Sequence, residues 1–127
     1  MHRLERFEQK ARALGADVVH AGSAPAPEGA IVCAAELAIA ETGSVLVALS
    51  QPERAAAMLA DHLWLTVPAE SIVDSLEAAL ARVGTLIANG RPYVTLMSGP
   101  SRTADIERTL TIGVHGPREL TVVILER

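Results

Sequence analysis

The sequence is poor in aromatic residues and in cysteine. Phe, Trp and Tyr occur once each among 127 residues, so the core must be built from Ala, Val, Leu and Ile, as is common where helices pack closely on a sheet. The single cysteine, Cys33, excludes an internal disulfide, and one thiol does not make a zinc or iron–sulfur site. We therefore expect no metal and no other cofactor. Cys33 lies in the apolar run 31–34, and we interpret it as a buried, unreactive thiol.

Positive charge and long apolar runs are also scarce. Eleven Lys and Arg residues face fifteen Asp and Glu residues, and this net charge of −4 excludes the clustered basic surface that nucleic-acid binding requires. No segment approaches the roughly 20 consecutive apolar residues of a membrane span. The charged start at 1–6 lacks the apolar stretch of a signal peptide. We expect a single cytoplasmic domain that contacts neither nucleic acid nor membrane.

Apolar spacing in the first half of the chain predicts one helix and several strands. Residues 3–14 have apolar side chains at intervals of three and four, which predicts an amphipathic helix that stops at Gly15. A strand is predicted at 18–20. Two paired strands are predicted between 37 and 49, on both sides of a tight turn at Thr42-Gly43. The apolar block 30–38 fits either a strand or a short helix.

In the second half, serine-led capping patterns alternate with apolar runs. Ser50-Gln51-Pro52-Glu53 predicts a capping box and a helix to about Asp61. Ser71-Ile72-Val73-Asp74 predicts the start of a second helix with Ile72, Leu76, Leu80 and Val83 on one face. Further predicted elements are strands at 63–67, 93–97 and 120–125, a turn at 89–92 and a helix at 101–110. This alternation predicts an α/β fold, a single layered domain with a largely parallel sheet flanked by helices.

The polar segment 98–105 follows a predicted strand and leads into a predicted helix. Ligands of open α/β sheets bind at such strand ends, where free amides at a helix start favour an anion. Gly99 permits close backbone approach, and Arg102 can contact a carboxylate or phosphate through two hydrogen bonds. Alternatively, Ser101 is only a helix cap and Arg102 a solvated charge. The candidate ligand-binding residues of this segment are Ser98, Gly99, Ser101, Arg102, Thr103 and Asp105.

Two further turns carry groups for acid–base chemistry. His115 lies between glycines in 113–118, which leaves its imidazole accessible as acid, base or hydrogen-bond donor, or as a cap for a neighbouring element. Glu41 can act as base, nucleophile or orienter of a bound group, or be an exposed turn residue. We take Glu41 and His115 as candidate catalytic residues, and we interpret His62 as structural. The candidate ligand contacts in these turns are Thr42, Gly43, Ser44, Gly116 and Arg118.

Three segments in one order resemble the lactate-utilization (LUD) domain family, LutC type. Residues 38–44 are similar to the family's AIAETG element, 98–107 match SGPSRTADIE, and 113–120 match GVHGPREL. His62-Leu63 is similar to the family's His-Ile element. The resemblance covers residues 30–127.

The resemblance implies a fold related to the NagB/RpiA/CoA-transferase-like group and a role in oxidising L-lactate to pyruvate. It also implies two partner proteins that carry the iron–sulfur motifs, in agreement with the single cysteine. The residues of the three turns by themselves indicate a small anionic metabolite as ligand. The alternatives are an independent protein or enzyme that binds a carboxylate, sugar phosphate or CoA ester, and a non-catalytic scaffold subunit.

One departure from the family concerns the interval before the AIAETG element. LutC-type members carry several strand–helix units there, whereas only 16–29 fills that interval in this chain. Part of the sheet is therefore predicted to be absent. An uncovered sheet edge invites pairing, so we expect a homo-oligomer.

Overall fold

The computed structural model describes residues 2–21, 26–90, 93–101, 103–106, 110–112 and 116–126. Within these ranges no helix is long and apolar enough to cross a membrane. The elements in chain order are α1 Arg3–Ala13, β1 Asp17–Ala21, β2 Ile31–Ala34, β3 Leu37–Ile39, β4 Ser44–Leu49, α2 Gln51–Met58, β5 His62–Pro68, a 3-10 turn Ala69–Ser71, β6 Ile72–Val73, α3 Leu76–Ala88, β7 Tyr93–Met97, β8 Thr103–Ile106, β9 Leu110–Ile112 and β10 Glu119–Leu125.

Four strands form a wholly parallel sheet in the order β1-β10-β5-β2. Val18, Val122, Leu65 and Cys33 are register partners, so they form one row across all four strands. This face shares a buried apolar cluster with Phe7 and other residues of α1 and α2. The predicted α/β class, with helices packed on a parallel sheet, is confirmed.

Six strands form a second sheet in the order β6-β3-β4-β7-β8-β9. Its pairings are antiparallel except for β3 with β6. The sheet is covered by α3, whose Ala79, Val83 and Leu86 are buried against Leu37, Ile39 and neighbouring apolar residues. The domain therefore joins a parallel and a mainly antiparallel sheet.

Several local predictions are confirmed by the element bounds. The first helix ends at Ala13, and the strands around Thr42-Gly43 pair antiparallel, as predicted. The capping box is also present, because the Ser50 hydroxyl accepts from the Glu53 backbone N–H at 3.3 Å and the Glu53 carboxylate accepts from the Ser50 N–H at 2.9 Å. The ambiguous block 30–38 contains β2 and the start of β3. The helix after the box ends at Met58, short of the predicted Asp61.

The prediction that a helix begins at Ser71 is wrong. Ile72 and Val73 form a short strand parallel to β3, and α3 begins at Leu76 with Ser75 as its N-cap. The buried face of α3 consequently differs from the predicted one: Leu80 is 53% exposed, whereas Val83 is buried. Pairing with β3 takes Ile72 and Val73 into a sheet, and the next serine supplies the cap.

The predicted helix at 101–110 is also wrong. Residues Thr103–Ile106 form β8, antiparallel to β7, and Leu110–Ile112 form β9, antiparallel to β8. In the described part of the segment, residues 98–101 therefore form a turn and 103–105 belong to a strand of the antiparallel sheet. Because no helix starts there, the anion site that was predicted from helix-start amides lacks its structural basis.

Candidate functional site

Two turns from the family-like segments, at 42–43 and at 98–101, pack directly on the C-terminal end of α1. Gly43 has φ +71°, and a Cβ atom there would lie 2.6 Å from the carbonyl carbon of Lys10. Gly99 has φ +77°, and its Cβ would lie 2.3 Å from the carbonyl oxygen of Leu14. Both backbones approach α1 more closely than any residue with a side chain allows.

The three turns also contact each other. The Ser44 and Ser98 hydroxyls share a hydrogen bond of 2.6 Å, which joins the first turn to the second. A Cβ atom on Gly116 would lie 2.1 Å from the carbonyl oxygen of Pro100, so the third turn packs on the second. Three segments that are distant in sequence thus form one body beside α1, which we call the motif junction (42–44, 98–101, 103 and 116).

Two threonine hydroxyls at the motif junction are buried without a hydrogen-bond partner among the described residues, those of Thr42 and Thr103. Thr103 is 4% exposed, and its Oγ1 lies 3.2 Å from the position of a Cβ atom on Gly116. Ser101 is exposed, and Asp105 lies in β8 opposite Thr95. The junction is thus densely packed around its hydroxyls. Ligand binding by its residues stays a prediction.

Glu41 lies beside the start of α3. Its carboxylate accepts a hydrogen bond of 3.2 Å from the backbone N–H of Leu76, the first residue of that helix. Its own N–H donates to the carbonyl oxygen of Asp74 at 3.0 Å. A carboxylate at a helix N-terminus is stabilising, so Glu41 has a structural contact in addition to its predicted catalytic role. The other candidates, Arg102 and His115, lie outside the described residues.

A polar cleft of about 410 Å³ opens at the amino ends of β5 and β10, and we call it the amino-end cleft. It is lined by Asp61, His62, Arg118 and Glu119. Glu119 and His62 are register partners, and the N–H groups of Arg118 and Glu119 donate to the carbonyl oxygens of Ala60 and Asp61 at 3.1 and 2.9 Å. The third turn, 116–118, therefore runs from the motif junction to this cleft.

His62 is held in one orientation from behind the cleft. Its Nε2 receives the indole N–H of Trp64 at 3.1 Å and lies 2.7 Å from the hydroxyl of Thr121. Since an indole nitrogen can only donate, Nε2 must carry a lone pair, which places the proton of the neutral ring on Nδ1. That atom lies 3.6 Å from Oε2 of Glu119.

Among the residues that line this cleft, the sequence predicted Arg118 as a ligand contact, and His62 was interpreted as structural. Asp61 and Glu119 were not predicted as site residues. The available signal was the resemblance of His62-Leu63 to a family element, together with two parallel strands that each begin beside a charged residue. Ligands of parallel sheets commonly bind beyond the carboxyl ends of the strands. That rule predicts a ligand at the carboxyl ends of β5 and β10 and so does not predict this cleft.

An ionic cluster lies at the carboxyl ends of β1 and β10, on the side of the parallel sheet opposite the amino-end cleft. The ring nitrogens of His20 lie 2.5 Å from Oε1 of Glu126 and 2.5 Å from Oε1 of Glu8. Hydrogen bonding to Glu126, and then to Glu8, raises the pKa of His20. The hydrogen bond from His20 lowers the pKa of Glu8, assisted by Arg12. The cluster connects α1, β1 and the residue after β10 and so stabilises this edge.

Cys33 is half-buried in β2, and burial raises the pKa of its thiol, with a smaller contribution from the charge of Glu53. A raised thiol pKa lowers the thiolate fraction at neutral pH and so lowers reactivity. Among the described residues, no group of three or more His, Cys, Asp and Glu side chains is arranged to hold a metal ion.

Comparison with known proteins adds a family to this geometry. The LUD domain model matches residues 26–125. Lactate utilization protein C of Deinococcus radiodurans is 34% identical over 98 residues, which are 76% of this chain and 46% of that protein. Lactate utilization protein C of Bacillus subtilis is 33% identical over 94 residues, 71% of this chain and 39% of that protein. This chain thus spans less than half the length of these relatives.

A solved structure has the same fold. The crystal structure of a DUF162 family protein from Deinococcus radiodurans matches with a TM-score of 0.67 at 20% sequence identity. The match covers 98% of each chain, so the combination of sheets described above is shared over nearly the whole length.

Proposed function

This chain belongs to the LUD domain family, and on that premise we propose that it serves in lactate utilization, as a component similar to lactate utilization protein C that binds a small anionic metabolite. One observation carries the proposal: the three family-like segments meet at the motif junction, and the third continues into the amino-end cleft. Segments brought together in this way support a shared function.

The proposed role divides the chemistry between this chain and partner proteins. Oxidising lactate to pyruvate releases two electrons and two protons, so the reaction needs an electron acceptor. One cysteine supplies too few thiolates for an iron–sulfur cluster. In this proposal the chain binds the metabolite in the cytoplasm, and the electrons pass to iron–sulfur lactate-utilization proteins. Glu41 and His115 remain its candidate catalytic residues.

Self-association is part of the proposal. Strands β1 and β2 are the two edges of the parallel sheet, and edge strands present unpaired backbone groups that a second copy can pair with. Val32 on β2 is 52% exposed, which adds an apolar side chain to that edge. Size-exclusion chromatography with light scattering tests this point, and a monomer at all concentrations would contradict it.

Growth complementation tests the role in lactate utilization. A Bacillus subtilis strain that lacks lactate utilization protein C is transformed with this chain, with its Gly99→Ala variant, or with Gly90→Ala as a matched control. We expect the wild type and the control to restore growth on L-lactate and the Gly99 variant to restore it less, while growth on glucose stays equal. A soluble, abundant wild-type chain that restores no growth would refute the role.

A scaffold is the second candidate function, and a specific observation favours it. Gly43 and Gly99 contact α1, and Glu41 caps α3, so these motif residues already have structural contacts. A scaffold would restore growth without binding lactate or pyruvate as the isolated chain. Calorimetric titration of the purified chain with both acids therefore separates the two candidates.

A further inference from the structure

The described residues that line the amino-end cleft bring together one guanidinium, one imidazole N–H and two carboxylates. We propose that this cleft binds a 2-hydroxy acid. Arg118 holds the ligand carboxylate, the Nδ1–H of His62 donates to the 2-oxygen, and Glu119 accepts the hydrogen bond of the 2-hydroxyl group. The choice of a hydroxy acid rests on the proposed function, whereas the geometry of the cleft does not depend on it.

The donor at His62 is fixed by groups behind the ring. Trp64 donates to Nε2 at 3.1 Å, and its ring meets the imidazole edge-on, with centroids 6.1 Å apart and planes at 68°. The hydroxyl of Thr121, a residue that is 3% exposed, lies 2.7 Å from the same nitrogen, Nε2. Rotation of the imidazole would break both contacts. His62 therefore presents Nδ1–H to the cleft in its neutral form.

Arg118 is available to a ligand because its present partner is weak. Its guanidinium lies 3.8 Å from the Asp61 carboxylate, and both side chains are more than four-fifths exposed. Ion pairs of this kind contribute little in water. A ligand carboxylate can replace Asp61 with two parallel hydrogen bonds, the geometry that a guanidinium favours. The Arg118 backbone is anchored to Ala60, so only the side chain needs to move.

The two carboxylates favour a ligand that also carries a hydroxyl group. A simple carboxylic acid would place its negative charge beside Asp61 and Glu119 and give them nothing to accept. A 2-hydroxy acid offers its hydroxyl to Glu119, which lies 3.6 Å from Nδ1 of His62 and therefore close to the 2-oxygen position. A 2-oxo acid lacks that donor. We expect the order of affinity to be hydroxy acid, then oxo acid, then simple acid.

A second cleft serves as an internal comparison. It lies between β3 and α3, and its arginine, Arg82, is already held by Glu36 at 2.6 Å. Histidine is absent from the described residues that line it. Arg82→Ala thus removes one surface guanidinium, as Arg118→Ala does, without touching the amino-end cleft, and it is the control for Arg118→Ala.

The first test measures the His62 tautomer and needs no ligand. Long-range ¹H–¹⁵N correlation spectra of the purified chain, at a pH where His62 is neutral, should show a protonated Nδ1 and an unprotonated Nε2. Trp64→Phe keeps an aromatic ring but removes the donor, and Thr121 can pair with either tautomer, so the variant should show a mixture. A wild-type ring that is protonated on Nε2 would overturn the proposal.

The second test measures binding by calorimetry and NMR titration with L-lactate, pyruvate and propionate. We expect L-lactate to bind at least about tenfold more tightly than propionate, because one hydrogen bond to a charged group is added. Arg118→Ala and His62→Ala should each weaken L-lactate binding about tenfold or more. Arg82→Ala should bind as the wild type, and His62→Asn, which keeps an amide donor, should weaken binding less than His62→Ala.

The outcomes separate this inference from the proposed role. Equal binding of lactate and propionate, or equal effects of Arg118→Ala and Arg82→Ala in folded variants, would overturn the cleft assignment. If either result is found and growth on L-lactate is still restored, the role in lactate utilization stands and the assignment of the cleft as the binding site is refuted. Selective binding by the isolated chain without restored growth would support the cleft and refute the role.

Discussion

The hydroxyls of Ser44 and Ser98 share a hydrogen bond of 2.6 Å across 54 positions of sequence. Ser44 is 1% exposed, so loss of its partner leaves a buried hydroxyl unpaired. We expect Ser98→Ala to lower the free energy of unfolding by about 1–2 kcal/mol. Urea unfolding of Ser44→Ala, Ser98→Ala and the double variant measures the coupling. Strictly additive losses would show that the two hydroxyls do not interact.

Gly99 and Gly90 provide a matched pair for testing the contact with α1. Both have φ +77°, so alanine imposes the same backbone strain at each, about 1–2 kcal/mol. A Cβ atom on Gly99 would lie 2.3 Å from the Leu14 oxygen, whereas at Gly90 no atom of the described residues lies within 4 Å. We expect Gly99→Ala to cost at least about 2 kcal/mol more. Equal costs in urea unfolding would contradict the packing of the second turn on α1.

The cluster around His20 predicts a pH dependence of stability. The pKa of His20 is raised above 6.5, so its contribution is complete below pH 6.5 and is lost as the pH rises through the raised pKa. The pKa of Glu8 is lowered below 4.5, so its contribution is complete above pH 4.5 and is lost as the pH falls through the lowered pKa. The cluster therefore stabilises the fold most between pH 4.5 and pH 6.5.

Comparison of the wild type with His20→Gln measures this dependence. The stability difference in urea unfolding should be larger at pH 5.5 than at pH 8.5, with the change following the NMR titration of His20. A difference that stays constant or grows toward pH 8.5 would show that the two carboxylates do not hold the imidazolium. The assay buffer has low ionic strength, because the side chains are partly exposed and salt would screen their charges.

Glu41 offers a test between capping and catalysis. The Leu76 N–H needs only an acceptor, so Glu41→Gln should unfold within about 0.5 kcal/mol of the wild type and Glu41→Ala should lose about 1 kcal/mol. If capping is its whole role, Glu41→Gln also restores growth on L-lactate. Loss of growth in a Gln variant of unchanged stability would instead support the catalytic role.

Local sequence signals predicted the elements that local chemistry controls. The capping box at Ser50 and Glu53 satisfies its own backbone groups, and the hairpin at Thr42-Gly43 needs only a turn and two apolar runs. These signals act within a few residues, so no knowledge of the remaining fold is required. The resemblance of three segments to one family was likewise readable, and the family is confirmed.

Non-local pairing decided the elements that were predicted incorrectly. Ser71 and Ser75 both begin plausible caps, and the choice depends on β3, which pairs with Ile72 and Val73. The segment Thr103–Ile106 is a strand because β7 lies beside it. The amino-end cleft shares this difficulty, since Asp61 and Arg118 meet only through the pairing of β5 with β10.

An NMR titration of the ¹⁵N-labelled chain with L-lactate tests most directly whether this chain binds its metabolite at the amino ends of β5 and β10. We predict shift changes concentrated at 61–63 and 118–121 that saturate with one affinity and are much smaller with propionate at the same concentration. Changes centred on His20 and Glu126 at the opposite edge, or no saturable change at all, would contradict it.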